Sequence, residues 1–116
     1  MLRNYLEYVK KISKKEHKDT FKNDFEKVVF EELKNEFPSF EIKSGIEMGS
    51  VSADIVINKT VIEIDGVEDN IECKYHDMKK QALIERCGFN VIRITKREWD
   101  ISSSACLERV RQAISM

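Results

Sequence analysis

Residues 53–66 read Ala-Asp-Ile-Val-Ile-Asn-Lys-Thr-Val-Ile-Glu-Ile-Asp-Gly. Ile55, Ile57, Val61, Ile62 and Ile64 are strand formers, and Asn58-Lys59 punctuates them where a tight turn fits. The stretch is a hairpin with unusual acids. Asp54 opens its first strand, and Glu63 and Asp65 close its second. Residues two apart share one face of a strand, so Glu63 and Asp65 point the same way. A turn near residues 58–60 brings Asp54 opposite them. A single acid at a strand end is commonly just solvated. Three beside isoleucines repel one another and are penalised by burial. A bound divalent cation with oxygen ligands relieves both costs.

The remainder of the chain sets this hairpin in an α/β domain. Helical spacing of Phe21, Phe25, Val28, Val29, Leu33 and Phe37 predicts a helix, capped by Thr20 or Asn23 and stopped by Pro38. Phe40–Lys43 reads as a short strand and 44–52 as a loop holding Gly45 and Gly49. After the hairpin, a helix is expected from about Ile71 to Cys87, ended by Gly88. Tyr75, Met78, Ala82 and Leu83 are expected inward, and Lys74, Lys79, Lys80 and Arg86 outward. Asn90–Thr95 reads as a buried strand, and Ser102–Ser104 begin a last helix carrying Leu107, Val110 and Ile114. Strands one to three form an antiparallel meander most simply, and the helix before strand four makes that pairing parallel. The expected architecture is a mixed four-stranded sheet between helices, with an αβββαβ core.

Composition narrows the class. At 116 residues with one proline and 41% hydrophobic residues, the chain suits one folded domain. No apolar run approaches a membrane span and no signal-type opening is present, which predicts an intracellular protein, cytoplasmic or nucleoid-associated. Cys73, Cys87 and Cys106 are odd in number and contain no Cys-x-x-Cys pair, against a disulfide framework or zinc knuckle. Net charge is −1, but it is unevenly placed. Residues 1–22 carry seven Lys/Arg against three acids, 23–72 four against thirteen, and 73–116 nine against five. An acidic centre between basic flanks suits a metal site approached by a polyanion. Residues 1–19 are read as a basic N-terminal helix or arm, with Leu2, Leu6, Val9 and Ile12 at helical spacing, and 20–116 as the domain proper.

Three segments together resemble a known group: Ala-Asp-Ile-Val-Ile, Val-Ile-Glu-Ile-Asp-Gly, and the run from His76 through Ile94. They look like the very-short-patch-repair-type endonucleases and a related bacterial domain, within the PD-(D/E)xK nuclease superfamily. Val61 through Trp99 also resembles the RAP domain of organellar RNA-binding proteins. The first resemblance implies a restriction-endonuclease-like sandwich and a metal-dependent endonuclease on nucleic acid, DNA favoured over RNA, with a homodimer allowed. It places Asp54 at the metal-binding aspartate, Glu63 at the acid of the (D/E)xK element, and Glu26 at a helix glutamate that points to the metal. Asp65 stands where many nucleases carry lysine and the repair enzymes histidine. Asp77 matches an acid at the start of the crossover helix, with Lys80 or Lys79 near a common basic position. Glu68, Asp69 and Asn70 occupy the stretch where the related domain has a histidine, and the nearest histidine is His76, an accessory candidate with Asp77. The expected ligands of Mg²⁺ or Mn²⁺ are Asp54, Glu63 and the Ile64 carbonyl, with Asp65 and Glu26 accessory. Lys79, Lys80, Arg93, Lys96 and Arg97 are candidates for phosphate contact. The alternatives are a RAP-like RNA-binding module or a non-catalytic subunit of a larger nuclease assembly.

Overall fold

The computed structural model describes residues 17–66 and 71–115, without the side chains of 71–75. The proposed N-terminal helix therefore lies outside the described residues, apart from 17–19. Helix α1 (Asp24–Glu36) is followed by strands β1 (Ile42–Met48), β2 (Val51–Ile57) and β3 (Thr60–Asp65). Helix α2 (Ile71–Arg86), strand β4 (Asn90–Thr95), short helix α3 (Lys96–Ile101) and helix α4 (Ser103–Ile114) complete the chain. The sheet order is β1-β2-β3-β4. The first two pairings are antiparallel, and β4 joins β3 in parallel after the α2 crossover. This is the expected α/β sandwich with a mixed four-stranded sheet.

Alternation along the strands divides the core between two faces. Ile55, Ile57, Ile62, Ile64 and Ile94 pack beneath Val29, Phe30 and Leu33 of α1 and Cys106 and Val110 of α4. Val56 and Val61 point the other way, toward Ile84 of α2 and Phe89. Asn23 caps α1 by accepting the Glu26 backbone N–H, so one of the two expected caps is used. Asn58 makes the hairpin turn with φ 51°, a left-handed conformation that asparagine tolerates. Gly88, at φ 94°, ends α2 as expected. No helix among the described residues is long and apolar enough to cross a membrane. Cys87 and Cys106 form no disulfide.

Four local expectations are corrected. The predicted strand 40–43 is Ile42–Met48, and most of the predicted loop is that strand and the start of β2. Ile42, Ser44, Ile46 and Met48 alternate inward, but Ser44 and the two glycines disguise the pattern. The α1 stripe includes Phe30 and leaves Val28 half exposed. Thr95 and Glu98 build a capping box for α3, a helix the sequence reading left out although Thr-x-x-Glu is its signature. The facing of α2 is also different. Met78 is 71% exposed, Ala82 and Leu83 are exposed, and Lys80 is turned inward. Among its described side chains, α2 lays Asp77, Lys80, Gln81 and Ile84 on the sheet, spaced three and four apart along one helix face. That face is polar because the strand surface below it carries Glu63, Asp65 and Arg93.

Gly45 has one further role. Its φ is +63°, and a Cβ there would lie 2.0 Å from Thr20 Oγ1. Glycine lets residues 17–20 run close against β1, the edge strand. The Ser44 N–H donates to Asp19 at 2.9 Å, and His17 Nε2 lies 2.6 Å from the Ser44 carbonyl oxygen. Side chains thus satisfy an edge that would otherwise present bare backbone groups. The same segment leads into Lys22.

Candidate active site

The β2–β3 ladder runs from Ile57↔Thr60 to Ile55↔Ile62 and ends there. Beyond it, carboxylates take over the hydrogen bonding. The Asp54 backbone N–H donates to Glu63 Oε2 at 2.9 Å, and the Ile64 N–H donates to Asp54 Oδ2 at 2.8 Å. Each acid binds the strand that carries the other. Both are buried, so the hairpin holds two carboxylates side by side at its open end. Glu26, on the first turn of α1, is the third buried acid, at 2% exposure.

Two lysines meet this cluster. Lys22 Nζ donates to Asp54 Oδ2 at 2.7 Å and to the Ile64 carbonyl at 2.6 Å, and lies 3.9 Å from Glu26 Oε2. Lys80 Nζ lies 2.5 Å from Glu63 Oε1 and 3.9 Å from Asp54 Oδ1. Lys22 was absent from the sequence reading. Its signal was faint: one lysine in a basic run, immediately before the Asn23 cap, meeting partners 32 and 42 residues away. Periodicity along α2 puts Lys80 outward, on phosphate, while the family resemblance puts Lys80 or Lys79 near a common basic position. Lys80 instead turns inward from the crossover helix and meets the two buried carboxylates.

Burial and mutual repulsion tune these groups. Burial, then the nearby Asp54 charge, pushes Glu26 up to about 7, against the opposing pull of Lys22. Glu63 is likewise raised, by burial first and Asp54 second, while Lys80 opposes. For Lys22, burial alone would lower the pKa. The hydrogen bond and charge of Asp54, with Glu26 and Glu63 behind it, outweigh burial and raise it.

The other residues singled out by sequence lie in a second network. Asp65 is half-buried and faces Arg93, with Oδ1 3.2 Å from Nη1. Its carboxyl is raised by burial, opposed by Arg93 and assisted by Asp77. Arg93 also donates from Nε to Gln81 at 3.0 Å and from Nη2 to the Asp77 carbonyl at 2.8 Å. Its guanidinium clamps α2 to β3 and β4, whereas a phosphate contact needs it turned to solvent. Asp77 Oδ2 stands 3.7 Å from Arg93. His76 and Lys79 are exposed on α2. Lys96 pairs with Asp100 and lies over the Phe25 ring, and Arg97 is exposed on α3. The structure therefore brings together Asp54, Glu63, Ile64 and Glu26, adds Lys22 and Lys80, and turns Asp65 toward Arg93.

Whether this set suits a divalent ion can be judged from its atoms. All the donors are oxygens, as magnesium and manganese prefer. Glu26 Oε2 is buried without a hydrogen-bond partner, a costly state that a cation would relieve. Among the described residues, however, no group of three or more His, Cys, Asp or Glu side chains is poised around a metal position. Lys22 and Lys80 are the cations that meet these oxygens. The donor chemistry fits the ion, and the present arrangement is the lysine-neutralised one.

No curated protein and no solved structure matches the chain. A family model does, over residues 25–114, which takes in every described strand and helix except the first residue of α1. The chain belongs to REase_MTES_1575, a restriction endonuclease-like family, and its four-stranded mixed sheet with flanking helices is compatible with a nuclease domain of the PD-(D/E)XK type.

Proposed function

We propose that this chain is a metal-dependent endonuclease that hydrolyses phosphodiester bonds in DNA. The observation that carries the reading is the pairing of buried Asp54 and Glu63 at the open end of the hairpin, with the Ile64 carbonyl and the unpartnered Glu26 oxygen beside them. Asp54, Glu63 and the Ile64 carbonyl would hold Mg²⁺ or Mn²⁺, and Glu26 would face it from α1. A divalent ion there supplies Lewis acidity, making water a stronger acid and drawing charge from phosphoryl oxygens. Lys80 fixes the rotamer of Glu63 and sets an ammonium where negative charge grows on the phosphate. Asp65, held by Arg93, keeps the end of β3 in register with α2.

The likeness of residues 61–66 and 76–94 to the repair-type endonucleases extends to 53–57, outside the RAP-like stretch, and so favours DNA as substrate. A RAP-like RNA-binding module has no need of three buried acids at one point, and burying them costs stability. Incubation with supercoiled plasmid and Mg²⁺ or Mn²⁺ tests the reading. Wild type should nick the plasmid, and Asp54→Asn and Lys80→Met should lose at least a hundredfold in rate, the scale of a single electrostatic catalytic group. RNA bound tightly and left uncut by wild type and Asp54→Asn alike would favour the binding module.

A further inference from the structure

The oxygens at the end of the hairpin already grip a cation, and that cation belongs to the chain. Lys22 Nζ sits 2.7 Å from Asp54 Oδ2 and 2.6 Å from the Ile64 carbonyl, with Glu26 Oε2 at 3.9 Å. Asp54 and the Ile64 carbonyl are two of the three ligands assigned above to the divalent ion, and Glu26 is its accessory acid. An ammonium and a divalent ion cannot occupy one set of donors, because like charges at that separation repel strongly in a partly buried site. The unpartnered Glu26 oxygen shows that the ammonium satisfies the site incompletely. A single positive charge with tetrahedral donors reaches two oxygens well and leaves the third at long range. A divalent ion with six positions has no such shortage.

We propose that Lys22 is an internal competitor for the divalent ion, which can load only by displacing the Lys22 ammonium from Asp54 and Ile64. The inference rests on the metal-dependent reading and adds to it a residue that sets metal affinity. Its position makes the exchange feasible. The Lys22 side chain is 47% exposed and precedes the Asn23 cap, so rotation about its own stem can carry the ammonium to solvent without unwinding α1. Lys80 differs in that it approaches Glu63 from α2, is more enclosed, and leaves the Ile64 carbonyl alone.

The test is calorimetric titration of Mn²⁺ into metal-stripped wild type, Lys22→Met, Lys22→Gln and Asp54→Asn, using the full chain. Each variant's fold is first checked by circular dichroism. Both Lys22 variants should bind Mn²⁺ at least tenfold more tightly than wild type, and Mn²⁺ should raise their melting temperatures more. Equal or weaker binding by both Lys22 variants, with wild-type binding lost in Asp54→Asn, would overturn the competitor role and leave the metal site standing. No uptake by any of the four would overturn the metal reading and this inference with it. A variant-free readout covers loss of fold: NMR of the Lys22 side-chain amino group during Mg²⁺ titration. Its signal should shift as the ion binds, and a signal unmoved at saturation would refute displacement.

Discussion

Glu26 offers the sharpest test of the electrostatics. It is 2% exposed, has an unpartnered oxygen, and is raised from 4.5 to about 7, by burial first and by Asp54 second. The sign follows from which state holds the proton. In the folded chain Glu26 keeps its proton to higher pH than in the unfolded chain. Its contribution to stability is therefore intact below pH 4.5 and is lost as pH rises to 7. The shift spans about 2.5 units, and at about 1.4 kcal/mol per unit the loss is about 3 kcal/mol. Glu26→Gln removes the titration and keeps the shape. Urea denaturation of both proteins in EDTA, from pH 4.5 to 8.5, measures the difference. The variant should gain on wild type by about 3 kcal/mol across that range, which corresponds to roughly 10 °C in melting temperature near pH 8. A stability difference that stays flat from pH 4.5 to 8.5 would show that Glu26 titrates normally and that the site's charge balance is misread.

Other parts of the structure make equally plain commitments. Gly45→Ala should cost at least about 2 kcal/mol, because alanine is strained at φ +63° and its Cβ would collide with Thr20 Oγ1; hydrogen exchange at Ser44 should rise as the 17–20 segment loosens. An unchanged denaturation midpoint would mean that the segment does not lie there. Arg93→Lys should cost about 1–3 kcal/mol in the same measurement, since one ammonium cannot replace the three directed contacts to Asp65, Gln81 and the Asp77 carbonyl. If lysine serves as well, the guanidinium is no clamp.

The fold was legible where side chains report on their own strand or helix. Ile55, Ile57, Ile62 and Ile64 alternate openly, and Asn58 and Gly88 mark their turns. Asp54 and Glu63 stand equally far from the hairpin turn, which must set them opposite each other, although β2 begins at Val51 and Asp54 does not open it. Two kinds of fact were hidden. One was backbone pattern masked by composition, as in β1, where the alternation of Ile42, Ser44, Ile46 and Met48 is interrupted by a glycine. The other was any polar residue whose partner is distant in sequence. An apolar helix face can be counted from one segment, because water is the same everywhere. A polar face such as Asp77, Lys80 and Gln81 is inward only if the sheet beneath supplies opposite charges, and neither segment alone contains that information. Ranking by hydrophobicity therefore sent Met78 and Leu83 inward and Lys80 outward. The 77, 80, 81, 84 spacing was available, and would have drawn notice once Glu63, Asp65 and Arg93 were laid on the same strand face.

The same cross-segment charge count says what metal loading should do to protons. Three buried carboxylates, Glu26, Asp54 and Glu63, face two ammonium groups, Lys22 and Lys80. The cluster is neutral only if one acid keeps a proton. Glu63 is also raised but has the Lys80 ammonium 2.5 Å away, whereas Glu26, raised to about 7, has Lys22 no nearer than 3.9 Å and is the one placed to do so. Exchanging Lys22 for a divalent ion adds one positive charge at the same oxygens. A cation next to Glu26 favours its ionised form, so the proton should leave as the ion enters. Mn²⁺ titrations in buffers of differing ionisation enthalpy count that proton. Near one should be released per ion at pH 6, where Glu26 is mostly protonated, falling toward zero by pH 8.5, where it has already ionised. Release that does not decline with pH would place the proton on another group, and no release at pH 6 would mean that the three acids are balanced without Glu26.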